Sequence, residues 1–392
     1  MRKPADLLVF DADNHLYETP DSLTRYLPRE HRKAIEYVQV RGRTKVAVRG
    51  TITDYIPNPT FDPVAAPGCH ARFYQGDNPR GLTRRDMSVP VSPLPGWREP
   101  EPRLALMDEQ GLDRAFMYPS VANLVEKRTQ DDPELTHAVM HALNEWMAEV
   151  WSFDYRGRIF PTPVITLPIV ERAIEELDWV LERGARAVIM RPAPAVTLRG
   201  SRSIGLPEFD PFWARAQEAG VVVVLHGTDS VVTEYVDLWE PPRTDNAYAG
   251  SAFREVVSAH RDVSDCIASL ICHGTLSRFP RLKIASVENG ADWVAPLLRG
   301  LKLVHGRIPQ DFAEDPVEVF RRNVWVSPFW ETDIVELIGL IGAGQVLFGS
   351  DYPHPECIPE PLSYLDELAG LDDATVRQIM GGNASRMLGL RE

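Results

Sequence analysis

The chain has 392 residues, 44% hydrophobic and 25% charged, which is enough apolar material for a large core and excludes a disordered protein or a small disulfide-held scaffold. Its 56 acidic against 42 basic residues give a net charge of -14, which argues against nucleic acid as a partner, because gripping a phosphate backbone needs a basic face. The 33 prolines predict long, shaped loops on a regular scaffold, since proline is confined to loops and element ends.

In chain order, Leu7–Phe10 predicts a buried strand that runs into Asp11. It is too short for a signal peptide, and no window reaches the roughly 18 apolar residues of a membrane span. A soluble cytoplasmic protein without a membrane partner is expected, with Cys69, Cys266, Cys272 and Cys357 reduced. Glu36–Ile56 alternates in short runs broken by Gly42 and Gly50 and predicts a small β-hairpin. Pro57–Pro100 is rich in Pro, Gly and Arg without helical periodicity, and predicts a lid or an oligomer-contact loop.

Further strands are predicted at Arg114–Tyr118, Arg158–Ile165, Ala187–Met190, Val221–Leu225, Lys283–Val287, Val324–Val326 and Val346–Phe348. Between and after them, helical spacing covers Glu134–Trp151, Ile169–Arg183, Pro211–Ala219, Ala291–Leu303, Val317–Arg322, Asp333–Ile341 and Pro361–Leu368. Eight strands alternating with helices predict an α/β chain built as a (β/α)8 TIM barrel, one domain over 1–392 with an insertion at about 36–100 after the first strand. A doubly wound open sheet is the alternative, but no GxGxxG follows the first strand.

In such a barrel the site is built at the carboxyl ends of the strands, so the polar residues that follow each strand matter most. Asp13, His15 and Glu18 follow the first, His226 the fifth, Glu288 the sixth, and Asp351 and His354 the eighth. Asp13 and His15, two apart on an extended segment, point the same way. With His226 and Asp351 they make a two-His, two-Asp set suited to a divalent metal and a water of lowered pKa. Arg191, after the fourth strand, and Trp330, near the seventh, predict substrate contacts, as does His354. Arg72, Arg80, Arg84 and Arg85 lie in the lid segment. His31, His70, His137, His141, His260 and His305 are expected to pack or face solvent.

The patterns D-x-D-N-H at the first strand, VVVVLH at the fifth, FPRLKI before the sixth and FGSDYPH at the eighth resemble the amidohydrolase superfamily, in the branch of aminocarboxymuconate semialdehyde and resorcylate decarboxylases. The resemblance implies a metal-binding barrel, with ligation mapped onto Asp13, His15, His226 and Asp351. Two positions depart from it. Asp13 stands where the common first motif has histidine, and Glu288 stands where the decarboxylases keep a catalytic histidine.

The resemblance implies a metal-dependent hydrolase or carboxy-lyase acting on a small organic acid or amide, with one or two zinc, manganese or iron ions. Asp351, Glu288 and His273 are the expected catalytic groups. H-x-Y-E and V-E-N-G also resemble a subset containing non-haem dinuclear oxygenases, in which Glu18 and His273 would help hold a second ion. A third expectation is a non-catalytic subunit paired with a paralogue, and a homo-oligomer is the expected assembly otherwise.

Overall fold

A computed structural model describes residues 3–4, 6–52, 60–228, 231–241, 251–258, 261–330 and 333–391. The chain is an α/β protein. Arg114–Pro119 is flanked by Phe10–Asp11 and Ile159–Pro161, both parallel to it. A second parallel sheet runs in the order Ala187–Met190, Val222–His226, Lys283–Val287, Val324–Val326. Backbone contacts join the two sheets at both sides. A Val164–Ile189 bridge links them on one side; a Val326–Val346 bridge continues the other, and there the Ala12 N–H donates to Phe348 O at 2.8 Å. The expected eighth strand, Val346–Phe348, is therefore carried by single backbone contacts. The expected third strand contracts to three residues, because Pro161 and Pro163 lack the N–H that would extend its ladder.

Val222–His226 lies centrally in its sheet with every residue buried, as its unbroken apolar run demands. The longest helix, Pro133–Val150, starts where the Asp132 side chain accepts from the Leu135 N–H and Pro133 occupies the first turn. It buries Leu135, Val139, Leu143, Trp146 and Met147, at helical spacing, against one continuous core. Helices Pro100–Gln110, Ala122–Thr129 and Arg261–Cys272 were not expected from the sequence. The predicted helix at Pro361–Leu368 is a short 3-10 segment, Pro361–Asp366.

After the first strand, Ile35–Val40 pairs antiparallel with Arg43–Val48, which pairs in turn with Thr51–Ile52. Both connections are two residues long and both residues are left-handed: Arg41 (φ 51°) with Gly42 (φ 76°), and Arg49 (φ 48°) with Gly50 (φ 77°). That is the type I′ geometry that fits strand twist, so the two glycines mark turns. Residues 53–59, at the end of the expected hairpin and the start of the expected lid, lie outside the described residues, as does His260. From residue 60 the segment is more ordered than its composition suggested. Val64–Ala65 pairs with Pro90–Val91, and single-turn helices form at Ala71–Tyr74 and Arg84–Met87, the second with a Thr83–Asp86 capping box. The segment is fastened to the loop after the eighth strand: Gly68 N–H donates to His354 O (3.2 Å) and His70 N–H to Pro355 O (2.7 Å).

Candidate metal centre

Asp13 sits in a bend between Phe10–Asp11 and the two-residue strand His15–Leu16. The segment is therefore not the single extended run expected, yet both side chains reach one point. Asp13 Oδ1 is 3.5 Å from His15 Nε2 and 3.5 Å from His226 Nε2, and Asp351 Oδ1 is 3.3 Å from His15 Nε2. All four side chains are at most 5% exposed. The close approach needs Gly349: a Cβ there would lie 2.5 Å from the Asp13 Cβ and 2.7 Å from Ser327 Oγ.

The hydrogen bond of His226 assigns its tautomer, and the hydroxyl beside His15 is compatible with the same one. His226 Nδ1 donates to Gly227 O at 2.9 Å, and His15 Nδ1 faces Ser120 Oγ at 3.4 Å. Each Nε2 then carries a lone pair, and it points at carboxylate oxygens. His15 Nε2, His226 Nε2, Asp13 Oδ1 and Asp351 Oδ2 have no hydrogen-bond partner among the described residues. Buried acceptors that face one another without donors are costly, and a cation among them reverses the sign of every one of these contacts. Two imidazoles and two carboxylates fit a divalent metal of the zinc or manganese kind.

Asp351 and Glu288 both adopt left-handed backbone, φ 60° and 56°, a strain of about 1–3 kcal/mol each for non-glycine residues that concentrates at functional sites. Glu288 Oε2 lies 3.3 Å from His226 Nδ1. Burial, reinforced by Asp13 and Glu356, pushes the Glu288 carboxyl well above the usual range. Burial, Glu288 and Asp13 do the same to Asp351. Burial takes His15 down to about 4.

His354 donates through Nδ1 to Asp351 Oδ1 at 2.7 Å, and its Nε2 meets Ser120 Oγ at 3.0 Å. It thus stands beside the four donors and could join His15 and Asp351 around an ion. Trp330 lies at the edge, donating to Glu356 O at 2.6 Å.

Two expected residues are not brought in. His273 is exposed at the end of helix Arg261–Cys272, with Nδ1 on Ser203 Oγ at 3.0 Å. A helix that leads back into a parallel strand ends at the strand's amino end, opposite the site, so its assignment as ligand and catalytic group is corrected. Glu18 is buried, with Oε1 accepting from the Val121 N–H at 2.8 Å and Oε2 without a hydrogen-bond partner among the described residues. It belongs to none of the potential metal-holding clusters among the described residues, and burial raises it to about 7. Arg191 is buried against Glu126, Nε to Oε2 3.2 Å.

Two residues escaped the sequence reading. Glu356, five positions after Asp351 in the same loop, forms a carboxylate cluster with Glu288 and Asp351; its Oε2 has no hydrogen-bond partner among the described residues. The signal was the continuation D-Y-P-H-P-E. Arg103 is fully buried on helix Pro100–Gln110, donating to Asn14 Oδ1, to His15 O (3.1 Å) and to Gly96 O (3.1 Å). It fixes the backbone that carries His15.

The amidohydrolase family model matches residues 68–390. The chain belongs to the amidohydrolase family, in the branch similar to aminocarboxymuconate semialdehyde decarboxylase. Among solved structures it is similar to an amidohydrolase from Mycobacterium avium subsp. paratuberculosis K-10, at 38% identity over 99% of each chain with a TM-score of 0.92. The 2-amino-3-carboxymuconate-6-semialdehyde decarboxylase of Dictyostelium discoideum is 22% identical over 266 residues, 63% of this chain and 66% of that protein. The chain thus spans just under two thirds of that relative's length. A dihydroxybenzoic acid decarboxylase from a Polaromonas species, crystallised with manganese and 2-nitroresorcinol, gives a TM-score of 0.55 at 17% identity over 82% of this chain and 93% of that one. That likeness concerns the fold.

Proposed function

We propose that this chain is a metal-dependent hydrolase or carboxy-lyase acting on a small organic acid. The observation that carries the reading is the buried trio of Asp13 Oδ1, His15 Nε2 and His226 Nε2, which face one another unpartnered, with Asp351 Oδ1 beside them 3.3 Å from His15 Nε2. The strand pairs and bridges described above support a single closed (β/α)8 barrel with residues of about 36–100 inserted after its first strand, and a homo-oligomer is the proposed assembly.

A divalent ion held by these four residues would supply Lewis acidity and a water whose pKa falls towards about 7. The chain's own groups do the rest. Glu288, at the end of the sixth parallel strand and within 3.3 Å of the His226 ring, is the group placed to hold and transfer a proton. Ser120 Oγ orients both His15 and His354, and His354 in turn orients Asp351. Trp330 and His354 wall the substrate side.

The second reading, a dinuclear site with oxygenase chemistry, is favoured by one feature: the carboxylates of Glu288, Asp351 and Glu356 lie within 4.8 Å of one another beside the first cluster. A second ion would be held there, and not by Glu18 with His273. Manganese-loaded protein incubated with a panel of aromatic acids and their amides tests the main reading. CO2 release or amide hydrolysis, lost on chelation, is expected. Oxygen consumption with neither product would favour the second reading, and fully metallated protein with no turnover of any kind would contradict both.

A further inference from the structure

Away from the metal-facing donors, a small cleft of about 30 Å3 opens between the segments that follow the second, third and fourth parallel strands. Its walls come from helix Ala122–Thr129 and the residue after it (Glu126, Gln130), from Ile165–Pro168, and from Met190–Val196. Since the strands are parallel, it lies at the same end as the metal ligands. That is room for about one or two water-sized groups, such as a single oxygen of a ligand whose body lies outside.

Arg191 faces this cleft. Its side chain is 7% exposed and that of its partner Glu126 is 6% exposed. Nη2 donates to Gln130 Oε1 at 3.0 Å, and Nε lies 3.2 Å from Glu126 Oε2. Thr166, also buried in the wall, hydrogen-bonds to Glu126. Nη1 has no hydrogen-bond partner among the described residues. A guanidinium nitrogen in that position calls for an acceptor, because a buried N–H without one loses its full hydration. Around it the wall is apolar: Ile165, Leu167, Met190, Ala193 and Ile204.

The charge balance decides which acceptor. Arg191 is already neutralised by Glu126, so an incoming carboxylate would meet a cation and an anion at similar range. The Glu126 repulsion would cancel most of the Arg191 attraction, and the cost of desolvating the carboxylate would remain. A neutral carbonyl oxygen meets the same N–H groups without that cost. We propose that the Arg191–Glu126 cleft is a subsite for a neutral oxygen acceptor on an apolar body, such as an amide, ester or ketone carbonyl, and not for the acid group of the substrate. The expectation that Arg191 contacts the substrate is thereby narrowed to this chemistry. As a substrate subsite this deepens the metal-dependent reading and rests on it: the acid group goes to the metal end and the neutral carbonyl to Arg191.

Benzamide and benzoate, matched in shape, are the probes. Calorimetric titration of manganese-loaded wild type, Glu126→Gln and Arg191→Leu, with metal content measured in each sample, separates the outcomes. Wild type is expected to bind benzamide more tightly than Arg191→Leu does by about 10-fold, the loss of one hydrogen bond to a charged group. Glu126→Gln, which keeps the arginine and frees its charge, is expected to shift the benzoate-to-benzamide affinity ratio at least about 10-fold towards benzoate. Benzamide affinity equal in wild type and Arg191→Leu overturns the subsite, and a ratio unchanged by Glu126→Gln overturns the charge argument. All three proteins holding manganese while these effects are absent would sink this inference alone. Absence of manganese from wild type would sink the metal-dependent reading while leaving the benzamide comparison to be scored.

Discussion

Asp11 and Asp13 are two residues apart and equally buried, yet they live in opposite surroundings. Asp11 belongs to an inner layer with Asn14, Arg103 and Ser350. Its Oδ1 accepts from the backbone of Asp13 (3.0 Å) and Ser350 (2.9 Å), and its Oδ2 from Asn14 Nδ2 (2.7 Å) and Ser350 Oγ (2.5 Å). Asp13 belongs to the rim, where Oδ1 faces two imidazole nitrogens and accepts from neither. Both carboxylates must be compensated for leaving water. In the inner layer the protein does this with its own donors; at the rim it leaves the compensation to something else. Burial alone does not tell a ligand from a brace; unpartnered lone pairs gathered around one point do.

The same test separates histidines. His137 is as buried as the site rings, but its Nε2 accepts from the Ile169 N–H at 3.2 Å, so it offers nothing to an ion. It packs, as the sequence suggested.

The strongest way to break the comparison is to remove the brace. Asp11→Ala leaves four donors without an acceptor and is expected to destabilise the fold by about 3–5 kcal/mol, measured by urea unfolding. If stability falls by less than about 1 kcal/mol, the inner layer is not a brace. Next, His137 sharpens the contrast through pH. Burial, helped by Arg172, pulls its pKa down to about 4 from the ordinary 6.5. The unfolded chain therefore takes up its proton first, so this ring's contribution is complete above pH 6.5 and is lost as pH falls towards 4, up to about 3 kcal/mol. Comparing wild type with His137→Gln across that window checks it: the stability gap between them should shrink on acidification.

At the rim, Ser120→Ala removes the hydroxyl between His15 and His354. Metal affinity should fall about 10–100-fold, as for other groups that orient ligands, with little change in unfolding of the metal-free protein. An affinity loss below threefold would mean that the rings are held by other contacts. Smallest is Glu356→Gln, which should weaken only a second equivalent of divalent ion, by about 10-fold, and leave the first unchanged. An equal effect on both would merge the two clusters into one site.

Much of this was legible in the sequence. Asp13, His15, His226 and Asp351 stand at the ends of runs apolar enough to read as strands, and the one-sided chemistry of a parallel α/β fold then brings them together. What was hidden had local causes. Helix Pro100–Gln110, with Arg103, begins PEP, and prolines that read as loop are tolerated in a helix's first turn. His273 was expected at the site through the resemblance, but helix Arg261–Cys272 leaves it exposed, with Nδ1 on Ser203 Oγ. Glu356 reaches the site only because the loop after Asp351 doubles back, with Ile358 N–H on Ser350 O at 2.8 Å, and no periodicity announces such a return.

Asp13, His15 and His226, with Asp351 beside them, are proposed to hold a divalent ion. The most direct test is calorimetric titration of manganese into chelator-stripped wild type, Asp13→Ala and His226→Ala, with folding checked by circular dichroism. A tight site is expected in wild type, weakened more than about 100-fold in both folded variants, beyond the range for residues that only support ligands. Wild type that takes up no ion, or variants that bind as wild type does, would contradict that assignment.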